Sequence, residues 1–367
     1  MNVSDLSPKE LSDRLTSGSL FFRTGPFTFS LRTELPEIID AFGLLYGDFP
    51  VLEPGYADFH ASLEKLGGVK SWISPQGTFL SGGVPQFYPF PLKTALPHLE
   101  WGLNRCVFRN AHHYLMVHAA VVERGGRALI LVGTSGSGKS TLCAALVLRG
   151  WRLLSDEIAL IASDGSLAGL ARPIGLKAES IRIIEEFSPE ACMGPGSRGT
   201  SKGLIAHMAP PKESVLRVQE RAKPSWIFFV SYQADAPVAC APVSKAKALM
   251  RIADCAFNYT LLGRQGFETL ADVVETTGTF DLVYGNLVET VDLLTALDLD
   301  TRLGTRQSQR EQLNARNGTS RGLAQAREDG GAPTERLELA VEPGSRHASS
   351  SSAEPTSHQI RPSRRNP

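Results

Sequence analysis

Short apolar runs alternate with amphipathic stretches and polar turns along most of this chain. Residues 127–132 form an apolar run that predicts a buried strand, and residues 140–149 follow with the spacing of a helix. Gly150 stands where a glycine ends a helix, and residues 151–155 and 158–162 predict two further strands. Strands that alternate with helices in this way are typical of an α/β fold.

The same patterns predict elements on both sides of this segment. Ser7, Pro8 and Glu10 form the start signal of a helix, in which Ser7 is the N-cap, and residues 27–33 alternate as a strand does. Further strands are expected at 215–218, 225–232 and 281–284, and further helices at 35–46, 96–114, 244–260, 266–277 and 288–297.

Changes in composition divide the chain into three parts. Residues 1–84 predict a small N-terminal α/β region, and the proline-rich stretch 84–96 predicts a linker. Residues 85–303 predict the main domain. Residues 304–367 are rich in Arg, Ser, Gly, Pro, Gln and Glu, and they predict a disordered tail because they hold too few large apolar side chains to offset the entropy of ordering.

A glycine-rich loop follows the strand at 127–132. Its residues from Gly133 to Ser140 fit G-x-x-x-x-G-K-[ST], a sequence whose backbone N–H groups surround phosphate oxygens. Lys139 is expected to reach the β- and γ-phosphates, and the Ser140 hydroxyl to ligate Mg²⁺. The alternative is a Gly/Ser turn that matches by chance. The predicted phosphate-binding residues are Gly133, Thr134, Ser135, Gly136, Ser137, Gly138, Lys139, Ser140 and Thr141.

Two carboxylates, Asp156 and Glu157, come directly after the next predicted strand. A carboxylate in this place can hold the Mg²⁺ shell, and a second can orient or deprotonate an attacking hydroxyl. The alternative is a surface turn that carries two acids. Transporter-type ATPases are excluded because Leu80-Ser81-Gly82-Gly83 precedes the loop, and the lack of an Asn-Lys-x-Asp motif disfavours a GTPase.

Composition narrows the partners and the compartment. The formal net charge is zero, which does not suggest nucleic acid. Five cysteines without C-x-x-C spacing are expected to be reduced thiols, and the pair His112-His113 lacks further ligands for a metal. No secretory signal is seen and no apolar run reaches the roughly 18 residues that span a bilayer, so the sequence predicts a cytoplasmic protein.

Residues 118–141 and 149–157 together resemble the catalytic domain of HPr kinase/phosphorylase, and most closely the group called HPr-related kinase A. Residues 172–177 and 199–207 carry further similarity, so that the resemblance spans about 85–300. It implies a P-loop kinase core of the HPr kinase/phosphoenolpyruvate carboxykinase type, with ATP and Mg²⁺ bound at the loop. It also leaves open a ring or another homo-oligomer.

The resemblance implies a role for each matching residue. Lys139 and Ser140 hold phosphates and Mg²⁺, and Asp156 and Glu157 match the family's acid pair. His118 matches a family histidine that positions the acids; without the resemblance, a histidine satisfied within its strand is the alternative. The second acid is Glu rather than Asp, and no Glu-x-Arg-Gly-x-Gly segment follows. Reverse phosphorolysis is therefore not implied.

Three functions remain as hypotheses. The first is an ATP-dependent kinase that phosphorylates a hydroxyl, such as Ser or Thr of a small protein. The others are a nucleotide-binding switch with weak or no transfer and a small-molecule kinase. The segment 194–203, with Arg198 and Lys202, is either a mobile lid over the phosphates or a solvated linker. The choice between ATP and GTP stays open.

Overall fold

The computed structural model of the chain describes residues 1–68 and 73–297. Residues 69–72 and 298–367 lie outside the described residues, and so does the tail predicted at 304–367. The described residues fall within one compact unit, Met1–Gln309. They form a mixed α/β structure with several sheets, and none of their helices combines the length and the apolar character needed to cross a membrane.

An N-terminal sheet of seven strands begins the fold. Its strand order is β3-β1-β2-β4-β5-β6, with β7 paired to β5. The capping box predicted at Ser7 is present and begins the first helix. The elements of this part are α1 (Pro8–Ser17), β1 (Leu20–Thr24), β2 (Phe27–Thr33), α2 (Pro36–Leu45), β3 (Val51–Leu52), β4 (Phe59–Lys65), β5 (Gln76–Ser81), β6 (Val84–Pro85), β7 (Phe90–Pro91) and α3 (Ala95–Asn110), with 3₁₀ turns at Val3–Asp5 and Leu92–Thr94.

The packing of this sheet continues past residue 84. The stretch predicted to be a linker instead supplies β6 and β7, and Phe90 is buried. Helix α3 packs its apolar face, including Leu99 and Leu103, into the same hydrophobic core as Phe22 and Phe42. Pro85 and Pro91 are tolerated because both strands are short and lie at the rim of the sheet. The functional division between 1–84 and 85–303 stays a prediction.

A central sheet of six strands follows, in the order β11-β9-β10-β17-β19-β18. Strands β10, β17 and β19 are parallel, whereas β9 is antiparallel to both β10 and β11. A hairpin at Gly125-Gly126 joins β9 to β10, and both glycines have positive φ. The elements are β8 (Leu115–Val117), β9 (Ala119–Arg124), β10 (Arg127–Val132), α4 (Lys139–Leu148), β11 (Arg152–Ser155), β17 (Lys223–Tyr232), β18 (Ala239–Pro242) and β19 (Gly278–Tyr284).

Two smaller sheets and five helices complete the described part of the chain. The sheets have the orders β13-β12-β8 and β14-β16-β15. Their remaining strands, with the helices, are β12 (Ala159–Ile161), β13 (Leu167–Ala168), β14 (Ile174–Lys177), α5 (Glu179–Phe187), β15 (Ser197–Thr200), β16 (Gly203–Met208), α6 (Lys212–Leu216), α7 (Lys245–Ala253), α8 (Tyr259–Thr276) and α9 (Leu287–Thr295).

Predictions of local structure were wrong at 215–218, at the end of the helix predicted at 96–114, and at 244–260, which is divided between α7, a turn and the start of α8. Residues 215–218 do not form a strand. They are the last residues of helix α6 and the turn that follows it, because Pro211 stands at the N-cap and the helix buries Ser214 and Val215. The helix predicted at 96–114 ends at Asn110, so His112 and His113 lie beyond it. The segment 194–203 is largely a β-hairpin, whose turn is closed by hydrogen bonds from Lys202 N to Thr200 Oγ1 and from that hydroxyl to Gly203 O.

Candidate functional site

The strand register brings three separate parts of the sequence to one edge of the central sheet. Val132, the last residue of β10, pairs with Ala119, the first residue of β9, so His118 lies beside the start of the glycine-rich loop. Strand β11 runs parallel to β10 because both are antiparallel to β9. Asp156 therefore leaves β11 at the same edge of the sheet as the loop leaves β10.

Glycine is required at two positions of the loop, which runs from Gly133 to Ser140. A Cβ at Gly133 would lie 2.3 Å from Ser137 Oγ and 3.1 Å from Val230 O. Gly138 has a φ of +86°, and its Cβ would lie 2.4 Å from Tyr284 Oη. At both positions the backbone lies so close to neighbouring atoms that a residue with a Cβ would not fit.

Lys139 is held inside the site by the strand ends around it. Only 5% of its surface is exposed, and Nζ lies 3.3 Å from His118 Nε2 and 3.5 Å from Asp156 O. Because the ammonium group has only donors, His118 Nε2 accepts and its Nδ1 carries the proton. That Nδ1–H faces the Glu157 carbonyl oxygen at 3.2 Å and its carboxylate at 3.4 Å.

Burial and the neighbouring ammonium group of Lys139 lower the pKa of His118, while Glu157 raises it. The imidazole is therefore neutral at neutral pH, and its contact with the Glu157 carboxylate is a hydrogen bond rather than an ion pair. His118 thus links Lys139 to Glu157. The backbone N–H of His118 donates in turn to Cys255 O at 2.8 Å, which fixes the histidine from the side of the helices.

Asp156 is a buried carboxylate with an unused oxygen. Its Oδ2 accepts from Gly175 N at 3.3 Å, whereas Oδ1 is buried without a hydrogen-bond partner. Burial, followed by the negative charge of Glu157, raises the pKa of Asp156 from its ordinary value of 3.8 to about 6; Lys139, Ser140 and the Gly175 N–H act in the opposite direction. Such a carboxylate is ready to accept a cation.

A cavity of about 420 Å³ opens over these groups. It is lined by Lys139 and Ser140, by His118 and Glu157, and by residues that sequence patterns did not single out. Among these, Lys177 at the end of β14 donates from Nζ to Ser135 Oγ at 2.8 Å. Lys202, from the β15–β16 hairpin, also lines the cavity, so this part of the predicted lid does reach the site. Its role as a moving lid stays a prediction.

Two tyrosines hydrogen-bond to the glycine-rich loop. Tyr232 and Tyr284 are the last residues of the parallel strands β17 and β19, and their rings meet edge to face. Tyr232 N donates to Ser137 O and Tyr284 Oη donates to Gly138 O, each at 2.9 Å. A signal existed for both, because sites in parallel sheets gather at the carboxyl ends of strands.

Arg172 lies outside the cavity although it belongs to the segment that carried the resemblance. It is buried, paired with the Glu100 carboxylate, and bonded to Asn104 Oδ1 at 2.9 Å. Tyr46 Oη also donates to Glu100, at 2.8 Å. Arg172 therefore ties α3 and the C-terminal end of α2 to the segment that leads into β14, the strand that carries Lys177.

Residues 1–68 and 73–297 hold no group of three or more His, Cys, Asp and Glu side chains that is placed to hold a metal ion. The rings of His113 and Tyr114 pack together with centroids 4.4 Å apart, which gives His113 a packing role. The five cysteines, all within the described ranges, are unpaired. A magnesium ion that shares its ligands with phosphates needs only one or two protein groups, so a site at Ser140 and Asp156 is compatible with these findings.

Comparisons with known proteins give partial similarity. A family model described as SynChlorMet cassette protein ScmC matches residues 97–175, a range that contains the loop, His118 and both acids. The structure of the Hpr(Ser) kinase/phosphatase from Coxiella burnetii is similar over 51% of this chain and 99% of that chain, with 13% identity and a TM-score of 0.22. No curated protein matches the sequence. Neither similarity assigns the chain to a family.

Proposed function

We propose that this protein is an ATP-dependent kinase of the HPr kinase type, which transfers the γ-phosphoryl group to a hydroxyl of a small protein. The observation that carries the proposal is the convergence of Lys139, His118 and Glu157 on one cavity beside a glycine-rich loop, with the buried Asp156 in contact with Lys139 through its backbone oxygen. A phosphate cradle alone needs only the loop and its lysine. A second carboxylate that faces the same cavity supplies what a transfer reaction needs in addition.

Each residue has a role in the proposed reaction. Backbone N–H groups of the loop and the start of α4 bind phosphate oxygens, and Lys139 neutralises their charge. Ser140 and Asp156 would hold Mg²⁺, and the unpartnered Oδ1 of Asp156 fits this role. The ion would neutralise charge on the β- and γ-phosphates.

The transfer step involves Glu157 as the base. Its side chain is 38% exposed, so an acceptor hydroxyl can reach it, and His118 holds it in place. The acceptor oxygen forms a bond to the γ-phosphorus while the bond to the bridging oxygen breaks. The acceptor proton passes to the Glu157 carboxylate, and ADP leaves.

Incubation of the purified protein and a cell extract with [γ-³²P]ATP and Mg²⁺ tests the proposal. We expect a labelled protein band that disappears in the Asp156→Asn/Glu157→Gln variant. The matched control is Glu185→Gln/Glu186→Gln, an adjacent pair of exposed acids on α5, and it should keep full activity. Competition by unlabelled GTP shows whether the protein prefers ATP or GTP.

The same assay separates the alternatives. MgATP binding without any labelled product would indicate that the protein is a nucleotide-binding switch rather than a kinase. A label that appears only in the low-mass fraction would indicate a small-molecule kinase. A labelled protein that persists in the Asp156→Asn/Glu157→Gln variant would overturn the roles assigned to the two acids.

A further inference from the structure

A second, larger concavity lies beside the proposed active site. It has a volume of about 1020 Å³, and we call it the arm groove. One wall is the proline-rich arm that carries β6 and β7, the floor is helix α3, and the other wall is the turn of the β15–β16 hairpin. The lining residues that matter for recognition are Phe87, Tyr88, Phe90, His98, Trp101 and Arg105.

The floor of the arm groove is a rigid aromatic platform. The rings of Phe90 and His98 are stacked with centroids 3.8 Å apart, and Trp101 meets His98 edge-on at 5.0 Å. Tyr88, in contrast, is 94% exposed and does not serve the core. Prolines and aromatic rings that present a groove of this kind are typical of surfaces that bind extended peptide segments.

Basic side chains border the arm groove. Arg105 lies over the Phe87 ring at 5.4 Å, and Lys202 lies over the Trp101 ring at 5.0 Å. Lys93 lies against Gly199 of the β15–β16 hairpin, since a Cβ at Gly199 would be 3.1 Å from Lys93 Nζ. Of the described residues that line the groove, none is Asp or Glu. An acidic segment is therefore the electrostatic complement of this surface.

The arm groove runs toward the proposed catalytic base. A narrow cleft between the two concavities is lined at one end by Trp101, which also lines the arm groove, and at the other by Glu157 and Lys177, which also line the nucleotide cavity. Lys202 stands in the cleft and contacts Trp101. The cleft has a volume of only about 20 Å³, so it places a segment on the aromatic platform beside Glu157 without itself admitting a side chain.

The geometry points to the arm groove as the docking site of an extended acidic segment of the protein acceptor. This inference rests on the proposed kinase function and specifies how the acceptor is chosen. The aromatic platform supplies affinity, and the rim cations Lys93 and Arg105 select acidic residues that flank the side chain that is phosphorylated.

A positional-scanning library of peptides with a fixed central serine and degenerate flanks, phosphorylated with [γ-³²P]ATP, tests the inference. We expect Asp and Glu to be preferred at flanking positions over Lys and Arg by at least fivefold. Tyr88→Ala should lower kcat/KM for peptides, and Lys93→Glu should lower or reverse the acidic preference. Both variants should bind MgATP as the wild type does. The matched controls, Tyr56→Ala and Lys9→Glu, replace an exposed tyrosine and an exposed lysine outside the arm groove.

The possible results distinguish failure of the docking inference from failure of the kinase proposal. Phosphorylated peptides without a charge preference, or with a preference that Lys93→Glu leaves unchanged, overturn the docking inference and leave the kinase standing. Label found only in small molecules overturns both the docking inference and the protein acceptor of the proposed function. When neither peptides nor the components of a cell extract are labelled, although MgATP binds, the kinase proposal fails, and the docking inference fails with it.

Discussion

Lys139 Nζ lies 3.3 Å from Nε2 of a neutral His118. This contact joins the lysine of the glycine-rich loop to the histidine that hydrogen-bonds to Glu157, although the two residues lie in different parts of the chain. The loop and the acid pair are therefore connected through His118.

Replacement of His118 should slow transfer more than it weakens nucleotide binding. His118→Ala removes the hydrogen bond that positions Glu157, whereas the loop and Lys139 remain. We expect kcat to fall about 10- to 100-fold, as for other residues that orient a reacting group, with a change in MgATP Kd below about threefold. His118→Asn should recover part of kcat, because its amide N–H can replace Nδ1–H. The control is His60→Ala, and a purely structural role would instead lower stability without this partial recovery.

Asp156→Asn should stabilise the metal-free protein at neutral pH. The pKa of Asp156 is about 6 in the fold and near 3.8 when unfolded, so the folded state binds more protons between these values. The wild type therefore loses stability as pH rises from about 4 to 6, and the variant does not. Above pH 6 the variant should gain roughly 2 kcal/mol. Urea unfolding in EDTA at pH 4 and pH 7.5 measures the difference, and an equal effect at both pH values would contradict this account.

Lys177→Met should weaken ATP binding more than ADP binding. Lys177 faces Ser135 and the acid pair, where a terminal phosphate is expected, and burial, followed by the positive charge of Lys202, lowers its pKa. Loss of a charged hydrogen bond corresponds to about a tenfold or greater loss of ATP affinity. Calorimetric titration with both nucleotides measures this, with Lys247→Met on α7 as the control. Equal weakening for ATP and ADP would place Lys177 elsewhere along the phosphates.

Ala178→Gly should stabilise the fold. Ala178 has φ of +40° and ψ of −110°, a combination that favours glycine, and it directly follows Lys177 at the start of α5. Relief of this strain should contribute about 1 kcal/mol in urea unfolding. The same change at Ala271, in the interior of α8, should have the opposite sign. A lower turnover of the stabilised variant would show that the strained backbone holds Lys177 in its working position.

Arg172→Met should strongly destabilise the protein without a specific effect on catalysis. The change leaves the Glu100 carboxylate buried without its cation, at a cost of about 3 to 5 kcal/mol. The double variant Glu100→Met/Arg172→Met removes both charges and should recover a large part of this loss. A double variant as unstable as the single one would show that the pair is more than an isolated ion pair.

The sequence predicted the parts of the site that are local and missed those that depend on packing. The glycine-rich loop, the helix after it and the acid pair follow one another closely, so their signals lie within one βαβ-like segment. Lys177 reaches Ser135 only through the pairing of β14 with β16, and no local pattern reports that. The arm was predicted to be a linker because its prolines dominate the pattern, whereas Phe90 anchors it to the core.

His118 occupies the point where the chain passes from the three-stranded sheet, through β8, into the central sheet, through β9. Its position is therefore set by the angle between two sheets and by Cys255, not by the loop alone. Substitutions in the core of either sheet can thus shift His118 relative to Lys139 and Glu157 without any change in the residues that line the cavity.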